Sequence, residues 1–168
     1  MNTLKIALIL LLLPLQATAD AIPLGDINVT LEVTAQPRIE VETPKSINLV
    51  NSPEHGSYSY SAEVPITVKL RRQESYRVSV KQPLILARHS GAIYSPAKEF
   101  SPADISWGIN HANLRPLSQT PETFTVAKGS SSQTTTDYLL QISAQAPSGQ
   151  DIAGKYHGQL TLLFETNS

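Results

Sequence analysis

The residue types able to do chemistry are present in this chain but dispersed. Its four histidines, His55, His89, His111 and His157, form no His-x-His or His-x3-His pair, so a metal set would need the fold to gather them. Read individually, they are solvated histidines of loops or strand faces. No cysteine is present, which removes disulfides, thiolate nucleophiles and Cys-ligated zinc together. No Gly-x-Ser-x-Gly elbow occurs, and Ser130 to Ser132 has no neighbouring His or acid in sequence, so it reads as a turn. Glu40 and Glu42 share one face of a short alternating run, the wet one. Glycine-rich phosphate fingerprints are absent, and Asn28-Val-Thr30 matches an N-glycosylation acceptor. Lys69-Leu-Arg-Arg72 with Arg77 is the one basic cluster, read as a solvated edge or a surface-charge site. Trp107 lies between Ile105 and Ile109 at strand spacing, which makes it core rather than a sugar-stacking platform. We therefore expect no catalytic residues, no metal and no cofactor.

The 168 residues carry 13 Lys+Arg against 14 Asp+Glu, with 40% hydrophobic and 16% charged residues. One domain is the expected content, and its hydrophobicity is too high for a disordered chain. A net charge of −1 leaves no electrostatic basis for nucleic acid as partner, because counterion release needs clustered cations. Residues 1–19 have the form of a secretory signal peptide: Lys5, an apolar run from Ile6 to Leu15, and Ala17-Thr18-Ala19 as cleavage site. Ala19-Asp20-Ala21 is the alternative site. The apolar run is about 10 residues, half of what spans a bilayer. An exported domain without cysteine must draw its stability from its core or its neighbours.

The elements that must position anything functional are strands. Ile27, Val29, Leu31, Val33 and Ala35 alternate with polar residues until Pro37, and Ile39 and Val41 resume the pattern until Pro44. Further alternation runs through Val64 to Leu70, Tyr76 to Val80, Ile105 to Ile109, Tyr138 to Ala144 and Tyr156 to Phe164. Turn clusters separate these runs at Asn51 to Pro53, Ser95-Pro96, Ser101-Pro102, Gly129 to Ser132 and Ala146 to Gly149. No long helix is expected. Six or seven short strands with such punctuation predict an all-β immunoglobulin-like sandwich. Two features are unusual: the most regular amphipathic strand is N-terminal, and the last run, 156 to 164, has no later strand to cover its edge. Residues 27 to 35 thus either fold into their own sheet or belong in another molecule's.

In these residues the chain resembles the chaperone-usher pilins, and more closely their alpha clade, the CFA/I-like colonisation-factor fimbrial subunits. The carrying segments are Ile27 to Val41, Ile105-Ser-Trp-Gly108, Ser130-Ser-Ser-Gln133 leading into Tyr138 to Ile142, and Gly154 to Phe164. The lack of cysteine is similar to the alpha clade and unlike type 1 and P pilins. Asn51 to Ala103 carries little of the resemblance.

The resemblance implies an incomplete immunoglobulin-like sandwich lacking its last strand, with residues 20–36 as an N-terminal donor-strand extension and 37–168 as the pilin domain. It implies neighbouring pilin subunits, a periplasmic chaperone and an outer-membrane usher as partners, and a place in a fimbrium at the cell surface. Ile27, Val29, Leu31, Val33 and Ala35 would enter a neighbour's pockets. Leu160, Leu162 and Phe164 would form one edge of the acceptor groove, with Tyr156 and Gly158 preceding them, and Ile39 and Val41 the other edge. The same last strand would meet the chaperone, with Gly158 permitting close approach of another backbone. The competing readings are a single-domain carbohydrate-binding adhesive sandwich and a secreted hydrolase.

Overall fold

The structure is a computed structural model, and it describes residues 24–53, 58–88, 98–126, 133–149 and 152–166. The expected leader, the loops at Ser95-Pro96 and Gly129 to Ser132, and His55 and His89 lie outside the described residues.

Among the described residues twelve strands follow in chain order: β1 (Ile27–Ala35), β2 (Ile39–Glu42), β3 (Ser46–Asn48), β4 (Val50–Asn51), β5 (Ser59–Arg71), β6 (Ser75–Val80), β7 (Ala87–Arg88), β8 (Asp104–Gly108), β9 (Arg115–Leu117), β10 (Glu122–Thr125), β11 (Gln133–Gln145) and β12 (Tyr156–Thr166). They form two sheets. One is ordered β10-β6-β12-β1-β3, with β7 also on β12; the other is ordered β2-β5-β11-β8-β9, with β4 also on β5. The runs β2-β5-β11-β8 and β6-β12-β1 occupy the places of strands A-B-E-D and C-F-G in an immunoglobulin-like sandwich. All the alternating runs of the sequence are strands, with one shortened: β8 stops at Gly108, and Ile109 is 57% exposed instead of closing the period.

Between the sheets lies one apolar core in which Val29, Tyr76, Val78, Leu86, Trp107, Leu140, Ile142, Leu160 and Leu162 have no exposed surface. Trp107 stacks on Tyr138 at 5.1 Å between ring centroids and meets Phe164 edge-on at 5.5 Å. Its Nε1 donates to the Tyr76 hydroxyl at 3.0 Å, which confirms it as a core residue.

Pro65 stands in the middle of the long strand β5, where a missing N–H would normally break a ladder. It is tolerated because one flank of β5 is open there: β2 pairs with residues Thr67 to Leu70 and β4 with Tyr60 and Ser61, leaving the stretch between them unpaired on that side.

Candidate functional site

The alternation of 27 to 35 did not decide between its own sheet and a neighbour's. It lies in its own. β1 is hydrogen-bonded between β12 and β3, and its ladder with β12 runs from Ile27 opposite Tyr156 to Ala35 opposite Phe164. This ladder is parallel, the one parallel pairing among the described strands. A strand that simply continued the chain after β12 through a hairpin would be antiparallel to it. The place beside β12 is therefore filled by a segment arriving from the other end of the sequence.

Period two determines what β1 brings to the core. Ile27, Val29 and Leu31 are 2%, 0% and 6% exposed, whereas Val33 is half-buried and Ala35 exposed. Of the five alternating side chains, three are fully seated in this sheet. The difference has a geometric cause: β3 covers only Asn28 to Thr30 of β1, so beyond Leu31 the strand is a sheet edge with one flank open. Burial of each large aliphatic side chain is worth about 1.5–3 kcal/mol, so holding strength is concentrated in the first five residues.

The strands flanking β1 in its sheet are β12 and β3. Tyr156, Gly158, Leu160, Leu162 and Phe164 are all buried along β12. Ile39 and Val41, expected on the other wall, lie on β2 in the opposite sheet, paired with Leu70 and Val68 of β5. The second wall is Ile47, opposite Val29 on β3, followed by the buried Leu49. The signal for β3 is one buried apolar residue flanked by Ser46 and Asn48, too short for periodicity to register.

Gly158 is packed closely against another segment of its own chain. A Cβ there would lie 2.8 Å from Leu84 Cδ1 and 3.1 Å from the Ile85 carbonyl oxygen, so the segment before β7, rather than β1, occupies the space the glycine leaves.

The outer face of β1 fixes its register with side-chain hydrogen bonds. Asn28 Nδ2 donates to Asn48 Oδ1 at 2.9 Å, Thr30 Oγ1 and His157 Nε2 are 2.8 Å apart, and Gln159 donates to Glu32. His157, a solvated strand-face residue on sequence grounds, is one of these register-setting partners. His111 lies elsewhere, 3.3 Å from Glu63, so the two described histidines do not converge.

β1 leaves the slot through a tight turn. Arg38 adopts φ 80°, the left-handed region that a non-glycine residue occupies at a cost of about 1–2 kcal/mol. Ile39 N–H donates to Gln36 C=O at 3.2 Å and Arg71 N–H to Arg38 C=O at 2.9 Å, which together hold the turn. The chain crosses here from one sheet to the other.

The basic cluster is split by the fold. Lys69 pairs with Glu42 at 2.9 Å, and that hydrogen bond, then the charge of the same carboxylate, raises its pKa. Arg77 pairs with Glu165 at 3.4 Å on the other sheet. Glu40 and Glu42 are exposed, as expected. Among the described residues no group of three or more His, Cys, Asp or Glu could hold a metal ion, and no helix is long and apolar enough to cross a membrane.

No protein-family model and no curated protein matches the sequence. The structure is similar to the CooA pilin subunit from enterotoxigenic Escherichia coli, with a TM-score of 0.46 and 12% identity over 79% of this chain and 99% of that one.

Proposed function

We propose that this chain is a structural pilus subunit of the chaperone-usher type, and that β1 is an exchangeable strand which, in the fibre, fills the slot of a neighbouring copy or a related subunit. One observation supports this above the others: the place beside β12 is occupied by a parallel strand from the far end of the chain, joined to the sandwich through a strained turn. A strand so attached can be replaced by an identical one from a second molecule without altering any other pairing. In this reading a periplasmic chaperone holds the open slot along β12, the outer-membrane usher is the site of exchange, and the product is a surface fimbrium. The alpha-clade assignment rests on the sequence segments that resemble it and on the absence of cysteine. No catalytic step belongs to this function.

The test uses the secreted chain without its leader. Two populations carrying different C-terminal tags are mixed and warmed towards the onset of unfolding, with and without excess peptide of sequence 24–36. Mixed oligomers that the peptide suppresses, with the peptide retained in the monomer fraction, are the expected result. Monomers that neither mix nor take up peptide across that temperature range would overturn the reading.

A further inference from the structure

The alternating face of β1 does not by itself fix where the strand stops along its slot. Ile27, Val29, Leu31 and Val33 are of similar size, so a shift of two residues in either direction keeps an apolar face inward. The hydrogen bonds on the outer face favour the observed register, but they join exposed side chains, and the net worth of each is modest. A stricter constraint stands two residues before Ile27.

Gly25 N–H donates to the Gly154 carbonyl at 2.8 Å, and a Cβ at residue 25 would lie 2.5 Å from that oxygen and 2.9 Å from its carbon. Both atoms are backbone, so no change of rotamer makes room. The segment that carries them is held from several sides. The Tyr156 hydroxyl donates to Ile152 C=O, Arg88 Nη1 donates to Ala153 C=O at 2.8 Å, and Tyr156 N–H donates to Asp26 C=O at 2.8 Å. Gly154 has φ 148°, and the buried Arg88 side chain lies against its α-carbon, where a Cβ would be 2.5 Å from Arg88 Cδ. The carbonyls of residues 152, 153 and 154 thus each have a donor, and the third donor is Gly25. Together they make an end wall at which two backbones meet with no side chain between them.

The residues around Gly25 turn this wall into a stop. A shift of two residues brings either Pro23 or Ile27 to it, and each carries a Cβ where only glycine fits; Pro23 also lacks the N–H that meets the Gly154 carbonyl. A shift of one residue would turn Asn28, Thr30 and Glu32 into the core. No other glycine precedes Gly56, so a single position of this segment can face the wall. We infer that the wall around Gly154 sets the register of the slot and filters what enters it: a strand is accepted only when glycine stands two residues before its first seated aliphatic, in the form Gly-x-apolar-x-apolar-x-apolar. For the chain's own β1 this stands alone; for a strand from a second copy it rests on the exchange proposed above.

Because the chain has no cysteine, one engineered disulfide can report the register. Asn28 and Asn48 are directly opposite with their side chains 2.9 Å apart, so Asn28→Cys with Asn48→Cys should link in a glutathione buffer, whereas Thr30→Cys with Asn48→Cys, two residues out of register, should not. In the chain without its leader, adding Gly25→Val should lower the equilibrium yield of the 28–48 link about tenfold, as overpacking against backbone does. Asp26→Val, at the exposed neighbouring position, should leave that yield unchanged. An unchanged yield in Gly25→Val, an equal fall in Asp26→Val, or linkage of the 30–48 pair in the parent chain would each overturn the inference. A second measurement offers peptide 24–36 and its Gly25→Val form to the warmed chain. Uptake of the first alone supports the filter for incoming strands, and equal uptake of both overturns it. Uptake of neither counts against strand exchange, while the disulfide yields still decide the stop.

Discussion

Leu31 lies opposite Leu160 in the parallel ladder between β1 and β12, and both side chains are buried, at 6% and 0% exposure. Two positions further on, Val33 faces Leu162, yet only Leu162 is fully buried. The hold of β1 on its own sandwich therefore decreases along the strand. Leu31→Ala should cost about 2–5 kcal/mol of monomer stability, as other large-to-small core changes do. Val33→Ala should cost clearly less, about 1 kcal/mol, and Ala35→Ser close to nothing. Urea denaturation of the three variants checks the order, and an equal loss at all three positions would contradict the decreasing hold.

Arg38→Gly isolates the turn. A glycine accepts φ 80° without the Cβ penalty, which outweighs the added freedom of the unfolded chain, so stability should rise by about 0.5–1 kcal/mol. Relieving the strain stabilises the strand seated in its slot, and the oligomer yield after warming reports the effect on withdrawal. We expect the glycine variant to exchange more slowly. Thermal melts and size-exclusion profiles supply the two measurements.

Gly158→Ala places a methyl group against Leu84 and the Ile85 carbonyl. The side chain of Leu84 can rotate but the carbonyl belongs to backbone, so a loss of about 1–3 kcal/mol is expected. The loss should appear as increased amide exchange at residues 84 to 86 rather than in β1. Exchange increased first in β1 would mean that Gly158 serves the slot directly.

The buried phenols predict an alkaline limit. Burial holds the Tyr76 hydroxyl well above the ordinary tyrosine value of 10.0, and its bond to Tyr138 adds to this; burial also raises Tyr138, against the effect of Tyr76. Below pH 10 folded and unfolded chains carry the same phenolic protons and stability is level. Above it the unfolded chain releases a proton that the folded chain keeps, so stability falls by up to about 1.4 kcal/mol per pH unit for Tyr76 alone. Tyr76→Phe, lower in stability at neutral pH, should lose less between pH 10 and 11.5, and denaturation across that interval tests the difference.

Period two made β1, β5, β6, β11 and β12 legible because each carries several apolar residues on one face, and Trp107 was recognisable as core from its neighbours. The same alternation is silent on which strand pairs with which, so it does not show that Ile47 lies opposite Val29 while Ile39 and Val41 pair with β5. Ile47 is a single apolar residue in a three-residue strand, below any periodic signal. Ile109 continues the pattern in sequence but projects beyond Gly108, where the chain turns away. The hydrogen bond from Trp107 to the Tyr76 hydroxyl joins residues 31 positions apart, and no local spacing encodes that.

The parallel ladder also sets an order of events. Thr30 and His157, joined across it, are 127 positions apart, so when β1 is made its partner strand does not yet exist. At about 5–20 residues per second of synthesis, roughly 6 to 25 seconds separate the two. Throughout that interval the most amphipathic strand of the chain has no wall of its own to rest against. On the proposed strand exchange, a finished neighbour's slot can receive β1 in that interval, and its own slot competes only once β12 has followed.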